Sequence, residues 1–193
     1  RRLGVDLVHN LQKSRALRSG FTGSGISRFN RLVERHDLKS WPGYYWLSYD
    51  FGGSNGPRDL LRNPLGPVEA QLAGGKRSFE HDGGELIFSL PNGFQAYFLT
   101  NAAGARLDIA PTSIVGDTAG VTGRPDIVNG LSCIICHSAG MKEQPGNKVS
   151  VTDQVRAIAA RGGFAAAEEE LILNLYKEQP EIGEGIRCTD PTR

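Results

Sequence analysis

Near the beginning of the chain, apolar residues recur every three or four positions with polar residues between them. The apolar positions are Val5, Val8, Leu11 and Leu17. This spacing predicts an amphipathic helix over residues 5–18 that ends at Gly20. Ser27 is a suitable N-cap for a second short helix, with His36 near its end. The apolar residues of that second helix are Phe29, Leu32 and Val33.

In the middle of the chain the pattern changes to aromatic residues and short apolar runs, which are typical of β-strands. Residues 41–51 are dense in aromatic side chains, which favour a half-buried strand. Residues 85–100 hold two apolar runs on either side of a Pro-Asn-Gly sequence at 91–93, which predicts a β-hairpin. A second turn at 101–104 leads to a third short strand near 106–109. This region therefore predicts a small antiparallel β-meander.

Helical patterns return in the last third of the chain. Ser150, followed by Asp153, predicts a capped helix that ends at Gly162. A final helix is predicted over 165–178, where acidic residues precede a basic one as the helix dipole favours. Residues 52–75, rich in Gly and Pro, predict a long irregular connection. The expected fold class is α+β, with helical N- and C-terminal segments around a central small antiparallel β-meander.

Length and charge narrow the class of protein. The 193 residues are enough for one domain, spanning 1–193, which is complete in itself or part of a longer protein. With 22 Lys and Arg against 21 Asp and Glu, the net charge of +1 gives no overall attraction to nucleic acid. The longest apolar runs are far shorter than the roughly 20 residues that span a bilayer, so no membrane span is predicted.

The residues with the clearest chemistry lie at 133–137, where the sequence is Cys-Ile-Ile-Cys-His. In this CxxCH motif, the two intervening residues place the thiols of Cys133 and Cys136 on one side of a tight turn. Each thiol can form a thioether with a vinyl group of one haem. The adjacent imidazole of His137 can then bind the iron, for which a neutral His nitrogen is a strong ligand.

These five positions resemble the attachment segment of c-type cytochromes, and the flanking sequence is similar to uncharacterised monohaem members from bacteria. The resemblance implies one covalent haem c held by Cys133 and Cys136, with His137 as the proximal ligand. It also implies a periplasmic or other extracytoplasmic location, with the terminal helical segments around the haem. The late position of the motif, behind a β-rich region, resembles the P460 and β-type cytochrome c′ group, whose haem lies against a sheet.

Other uses of the motif fit the sequence less well. A structural zinc ion needs four Cys or His ligands, commonly in two close pairs, and the remaining cysteine, Cys188, has no neighbour. A redox-active dithiol requires a thioredoxin-like βαβ setting, whereas a Gly-rich loop precedes Cys133. A structural disulfide between cysteines so close in sequence is sterically awkward.

The ligand on the distal side of the iron is less well defined. Met141 is the chain's single methionine, and it lies too close to His137 to reach the opposite face of a haem. We favour His81 as the distal ligand, because a turn beside it could aim its ring into a pocket, and His36 is the second candidate. The remaining candidates are His9, Cys188 and an open position.

The expected function is electron transfer, with iron cycling between Fe(II) and Fe(III), because no acid, base or nucleophile constellation accompanies the motif. A redox partner protein is then required. The basic residues of the first 35 positions form either a solvated surface or a docking face for an acidic partner. The alternatives are a haem c enzyme, such as an oxidase or peroxidase, and a gas-binding module, both with an open distal site.

Overall fold

The computed structural model describes residues 16–23, 26–38, 43–66, 77–118, 120–141 and 150–176. Its main feature is a six-stranded antiparallel sheet in which every strand pairs with the next one along the chain. The strands are β1 (Leu17–Thr22), β2 (Asn30–Asp37), β3 (Tyr44–Asp50), β4 (Gly83–Ser89), β5 (Gln95–Asn101) and β6 (Arg106–Leu107). The helices are α1 (Leu131–Cys136), α2 (Val151–Ala160) and α3 (Ala166–Leu175).

This architecture corrects the predicted fold class, because a large sheet with three short helices replaces the expected helical wrapping of a haem. Residues 17 and 18, at the end of the first predicted helix, lie in β1. The second predicted helix is also wrong, because its residues, including His36, lie in β2 or just before it. The remainder of the first predicted helix, 5–15, is outside the described residues. In β2, Leu32, Glu34 and His36 are all buried, which is the alternation of a strand.

Several local predictions are confirmed. The aromatic segment forms β3, and the Pro-Asn-Gly sequence joins β4 to β5 with Gly93 at a φ of +83°. The third short strand is β6. Ser150 caps α2 by accepting a hydrogen bond from the Asp153 N–H at 3.2 Å. The connection after β3 is irregular in its described part, 52–66, apart from a 3-10 turn over Gly56–Arg58.

The strand register divides the side chains of the sheet between two faces. We call the face that α2 and α3 cover the core face; it carries Arg18, Leu32, Glu34, His36, Tyr45, Leu47 and Tyr49. We call the opposite face the α1 face; it carries Arg31, Arg35, Trp46, Ser48, Asp50, Glu85, Ile87, Tyr97 and Leu99. Gly20 lets α2 approach β1 closely, since a Cβ there would lie 2.9 Å from the Cβ of Val151. No described helix is long and apolar enough to cross a bilayer.

A cluster of buried charges lies on the core face. The Nε of Arg18 donates to Glu34 at 2.6 Å, and the Nε2 of His36 lies 2.5 Å from the other carboxylate oxygen of Glu34. Arg18 also donates to the carbonyl oxygen of Pro64 at 3.0 Å, which in turn accepts the Tyr176 hydroxyl at 2.6 Å. These contacts join β1, β2, the irregular connection and the residue after α3.

We predict that Glu34→Gln destabilises the protein at neutral pH, by about 3 kcal/mol or more, because it leaves Arg18 buried without its counter-charge. Burial alone would raise the pKa of Glu34, but Arg18 and His36 lower it to about 2. The ionised carboxylate therefore stabilises the fold fully above its unfolded pKa and less as the pH falls toward 2. Urea unfolding of both proteins from pH 7 to pH 3 should show the difference shrinking below about pH 4.5. A constant difference across this range would contradict the assignment.

Candidate functional site

The CxxCH segment forms α1 together with the residue that ends it. Gly130 precedes the helix at a φ of +77°, a conformation that a residue with a Cβ adopts only with strain. The Asn129 side-chain oxygen accepts the N–H of Leu99 at 3.1 Å, which attaches the start of the helix to β5. The N–H of His137 donates to the carbonyl oxygen of Cys133 at 2.8 Å and closes the last turn. The helix is thereby fixed on the α1 face.

Helical spacing brings Cys133, Cys136 and His137 to one side of α1, because residues three and four positions apart are neighbours on a helix. Cys133 is buried, whereas Cys136 and His137 are partly exposed. The other two residues of the motif point outward, with Ile134 56 % and Ile135 40 % exposed. The predicted attachment residues therefore lie together on one side of α1. That side faces the sheet, and Cys133 packs against it.

The imidazole of His137 is oriented by the backbone that follows it. Its Nδ1 lies 3.1 Å from the carbonyl oxygen of Gly140 and donates a hydrogen bond to it. The proton is then on Nδ1, which leaves Nε2 as the unprotonated nitrogen, the form in which a histidine binds a metal. The ring of Tyr97 lies 6.2 Å from that of His137, centroid to centroid. This donor geometry, with two free thiols beside it, fits the attachment of a haem.

A buried polar network lies beneath Cys133 on the α1 face. The Nε of Arg31 is 2.9 Å from Asp50, and an Nη of Arg31 is 3.2 Å from Glu85. Ser48 donates to Asp50 at 3.0 Å, and Glu85 accepts a hydrogen bond from the Cys133 thiol. The sequence did not indicate this network, since its members lie on three strands and only the register brings them together.

The network and the burial of Cys133 determine the protonation of its thiol. Burial raises the pKa of Cys133, and the negative charge of Glu85 raises it further. Burial also raises the pKa of Asp50, against the opposing effect of Arg31. The Cys133 thiol is therefore protonated at neutral pH. A nucleophilic, redox-active cysteine needs a lowered pKa, so this environment counts against a dithiol redox site.

The structure does not bring the two favoured distal candidates to α1. His36 is buried on the core face, next to Glu34 and 6.0 Å from the ring of Tyr45. His81 packs on the same side, with its ring 5.0 Å from that of Tyr49. Burial lowers the pKa of His81, while Asp82 opposes this effect. Both histidines thus have structural neighbours away from the motif. The candidates His9 and Cys188 lie outside the described residues.

Comparisons with protein-family models, with curated proteins and with solved structures give no match to this chain. The function must therefore be argued from the geometry of the site. That geometry consists of one short helix attached to a sheet, two thiols and an imidazole on one side of the helix, and a buried polar network below it.

We predict that the two motif cysteines of the haem-free, reduced chain differ in reactivity. In the folded chain, Cys136 should react with iodoacetamide at least tenfold faster than Cys133, because Cys133 is buried and its pKa is raised. Peptide mass spectrometry after timed alkylation measures both rates. The same measurement in urea is the control, since unfolding should make the rates similar. Equal rates in the folded chain would show that α1 does not pack as described.

Proposed function

We propose that this chain binds one haem c covalently and serves as an electron-transfer protein. The observation that carries the proposal is the side of α1 on which Cys133, Cys136 and His137 lie together, with Nδ1 of His137 bonded to the carbonyl oxygen of Gly140. Two thiols for covalent attachment and one oriented imidazole for the iron are what haem c attachment requires. A redox-active dithiol or a disulfide would use only the two cysteines, whereas haem c attachment also uses His137.

Each residue of the site has a distinct part in this proposal. When bound, haem c supplies an iron that gains and loses one electron. Cys133 and Cys136 would hold the haem, each by addition of its thiol S–H across one vinyl group, which gives a thioether with no leaving group. His137 would hold the iron through Nε2, and its Nδ1 hydrogen bond to the carbonyl oxygen of Gly140 fixes the orientation of the ring. The α1 face of the sheet keeps water from one side of the site.

The position of α1 against an antiparallel sheet is in keeping with the resemblance to the P460 and β-type cytochrome c′ group. The helix lies over β4 and β5, as the contacts of Cys133 with Glu85 and of His137 with Tyr97 show. A haem attached to α1 would therefore be next to the aromatic and apolar residues of the same sheet face. An extracytoplasmic location, where haem c is attached in bacteria, is part of the proposal.

We predict that the chain gains the mass of one haem when it is exported to a bacterial periplasm together with a c-type maturation apparatus. A pyridine haemochrome spectrum should show two thioether bonds. The double variant Cys133→Ala/Cys136→Ala should lack covalent haem, whereas Cys188→Ala, which removes the one cysteine outside the motif, should keep it. An exported wild-type chain with only its polypeptide mass would refute the proposal.

A second candidate function is a haem c enzyme or a gas-binding module with an open distal site. The observation that favours it is the location of His36 and His81, which both pack toward the core face. Carbon monoxide distinguishes the two functions. A six-coordinate, low-spin ferrous protein that does not bind it supports electron transfer, with the sixth ligand contributed by another part of the chain. Rapid binding supports the open site instead.

We predict that neither His81→Ala nor His36→Gln changes the visible spectrum of the haem-loaded protein in either oxidation state. Both side chains pack against the core face, where they contact Tyr49 and Glu34 respectively, so neither should bind the iron. His137→Ala is the matched control, and it should shift the spectrum strongly or abolish loading. Conversion from low-spin to high-spin iron in His81→Ala would show that our placement of this histidine is wrong.

A further inference from the structure

Two buried carboxyl groups share one arginine on the α1 face. Asp50 and Glu85 are only 4 % and 7 % exposed. Asp50 lies 2.9 Å from the Nε of Arg31, and Glu85 lies 3.2 Å from an Nη of the same side chain. One positive charge therefore faces two groups that can each be negative. A buried charge without a counter-charge is costly, so a proton on one of the two carboxyls would relieve the excess.

The hydrogen bonds of Asp50 leave part of its charge uncompensated. Its Oδ2 accepts the Ser48 hydroxyl at 3.0 Å. Its Oδ1 is buried beside Arg31, but among the described residues it has no hydrogen bond of good geometry. Ser48 has no second proton to give, and its oxygen already accepts the N–H of Glu85 at 2.9 Å and an Nη of Arg31 at 3.1 Å. In keeping with this geometry, burial raises the pKa of Asp50.

Haem attachment would change the balance of this network. In the haem-free chain the Cys133 thiol donates a hydrogen bond to Glu85. A thioether has no S–H, so attachment through Cys133 would remove that donor from the two carboxyls. The same bond would bring the edge of the porphyrin next to Glu85. The charges of the network would then lie close to the cofactor.

The groups around the two carboxyls narrow the choice of proton acceptor. Within the described residues, the other titratable side chains that face them are Arg31 on β2, Cys133 on α1 and Tyr97 on β5. Burial alone would lower the pKa of Arg31, but Asp50 and Glu85 raise it, so the guanidinium stays charged. Burial raises the pKa of Tyr97, so its phenol stays neutral. Of the two carboxyls, Asp50 has the oxygen without a hydrogen bond.

We propose that Asp50 binds a proton when the iron is reduced, so that electron transfer to this protein is coupled to proton uptake. The inference rests on the proposed haem attachment. The iron gains one electron from the redox partner, and the Asp50 carboxylate gains one proton from the solvent. Reduction removes the net positive charge of the iron and porphyrin, which had favoured the carboxylate over the acid. The midpoint potential therefore falls as the pH rises.

The test measures the midpoint potential of the haem-loaded protein from about pH 5 to about pH 9. At a fixed ambient potential, the ferric-to-ferrous ratio of the wild-type protein should rise at least threefold across this range, which corresponds to roughly 30 mV for one electron. Asp50→Asn keeps the shape of the side chain but cannot bind the proton, so it should remove most of the pH dependence. Glu170→Gln is the matched control, because Glu170 is exposed on α3, and it should leave the dependence unchanged.

A second measurement uses the wild-type sequence alone. The infrared difference spectrum of the ferrous minus the ferric protein should contain the C=O band of a carboxylic acid. This band should shift when the aspartate carboxyls are labelled with a heavy carbon isotope. The label separates an aspartate from Glu85 and from the haem propionates, which can also bind protons.

The outcomes separate this inference from the proposed function. A wild-type chain without covalent haem refutes the proposed function itself. If haem is attached but the potential does not change with pH, or if Asp50→Asn keeps the dependence, only the role of Asp50 is refuted. If Asp50→Asn does not fold, the labelled infrared spectrum decides, and the lack of an aspartate band on reduction overturns the inference. A dependence that is lost in Asp50→Asn, or a band that the label shifts, supports it.

Discussion

The antiparallel register of β2 to β5 is the constraint on which the rest of the structure depends. Successive side chains of a strand point to opposite faces, so a register shift of one residue would exchange the two faces completely. Glu34 and His36 would then leave the core face, and Arg35 would enter it. The buried contact of Glu34 with Arg18 likewise requires the observed register between β1 and β2. The location of every polar group near α1 follows from this pairing.

Elements with strong local signals were predictable from the sequence, and elements that depend on buried charges were not. The hairpin of β4 and β5 has a turn sequence between two apolar runs, and α2 has a capping residue, so both were found. In β1 and β2 the buried positions include Arg18, Glu34 and His36, which look like surface residues in a sequence. The apolar residues of these two segments matched helical spacing, so the sequence predicted helices where the structure has the strands β1 and β2.

The candidate site shows the same division. The CxxCH motif is a contiguous signal, so its three candidate residues could be named from the sequence alone, and the structure shows them on one side of α1. The network of Arg31, Asp50 and Glu85 could not, because Arg31 and Glu85 are 54 positions apart and meet only through the pairing of three strands. Nor could the sequence place the two distal candidates, His36 and His81, on a face of the sheet. A histidine beside a turn is equally compatible with either face of a sheet, and His81 turns toward Tyr49 on the core face.

The two faces of the sheet use their charged groups in opposite ways. On the core face, Arg18 and His36 both contact the carboxylate of Glu34, so the charged groups of this cluster stabilise the fold through one another. On the α1 face, Arg31 pairs with Asp50 and Glu85 below Cys133. Arg35, on the same face, stacks on the ring of Tyr44. Among the described residues, only the α1 face is next to the helix that carries Cys133, Cys136 and His137. The haem that we propose would therefore attach on this side of the sheet, away from the core-face cluster of charges.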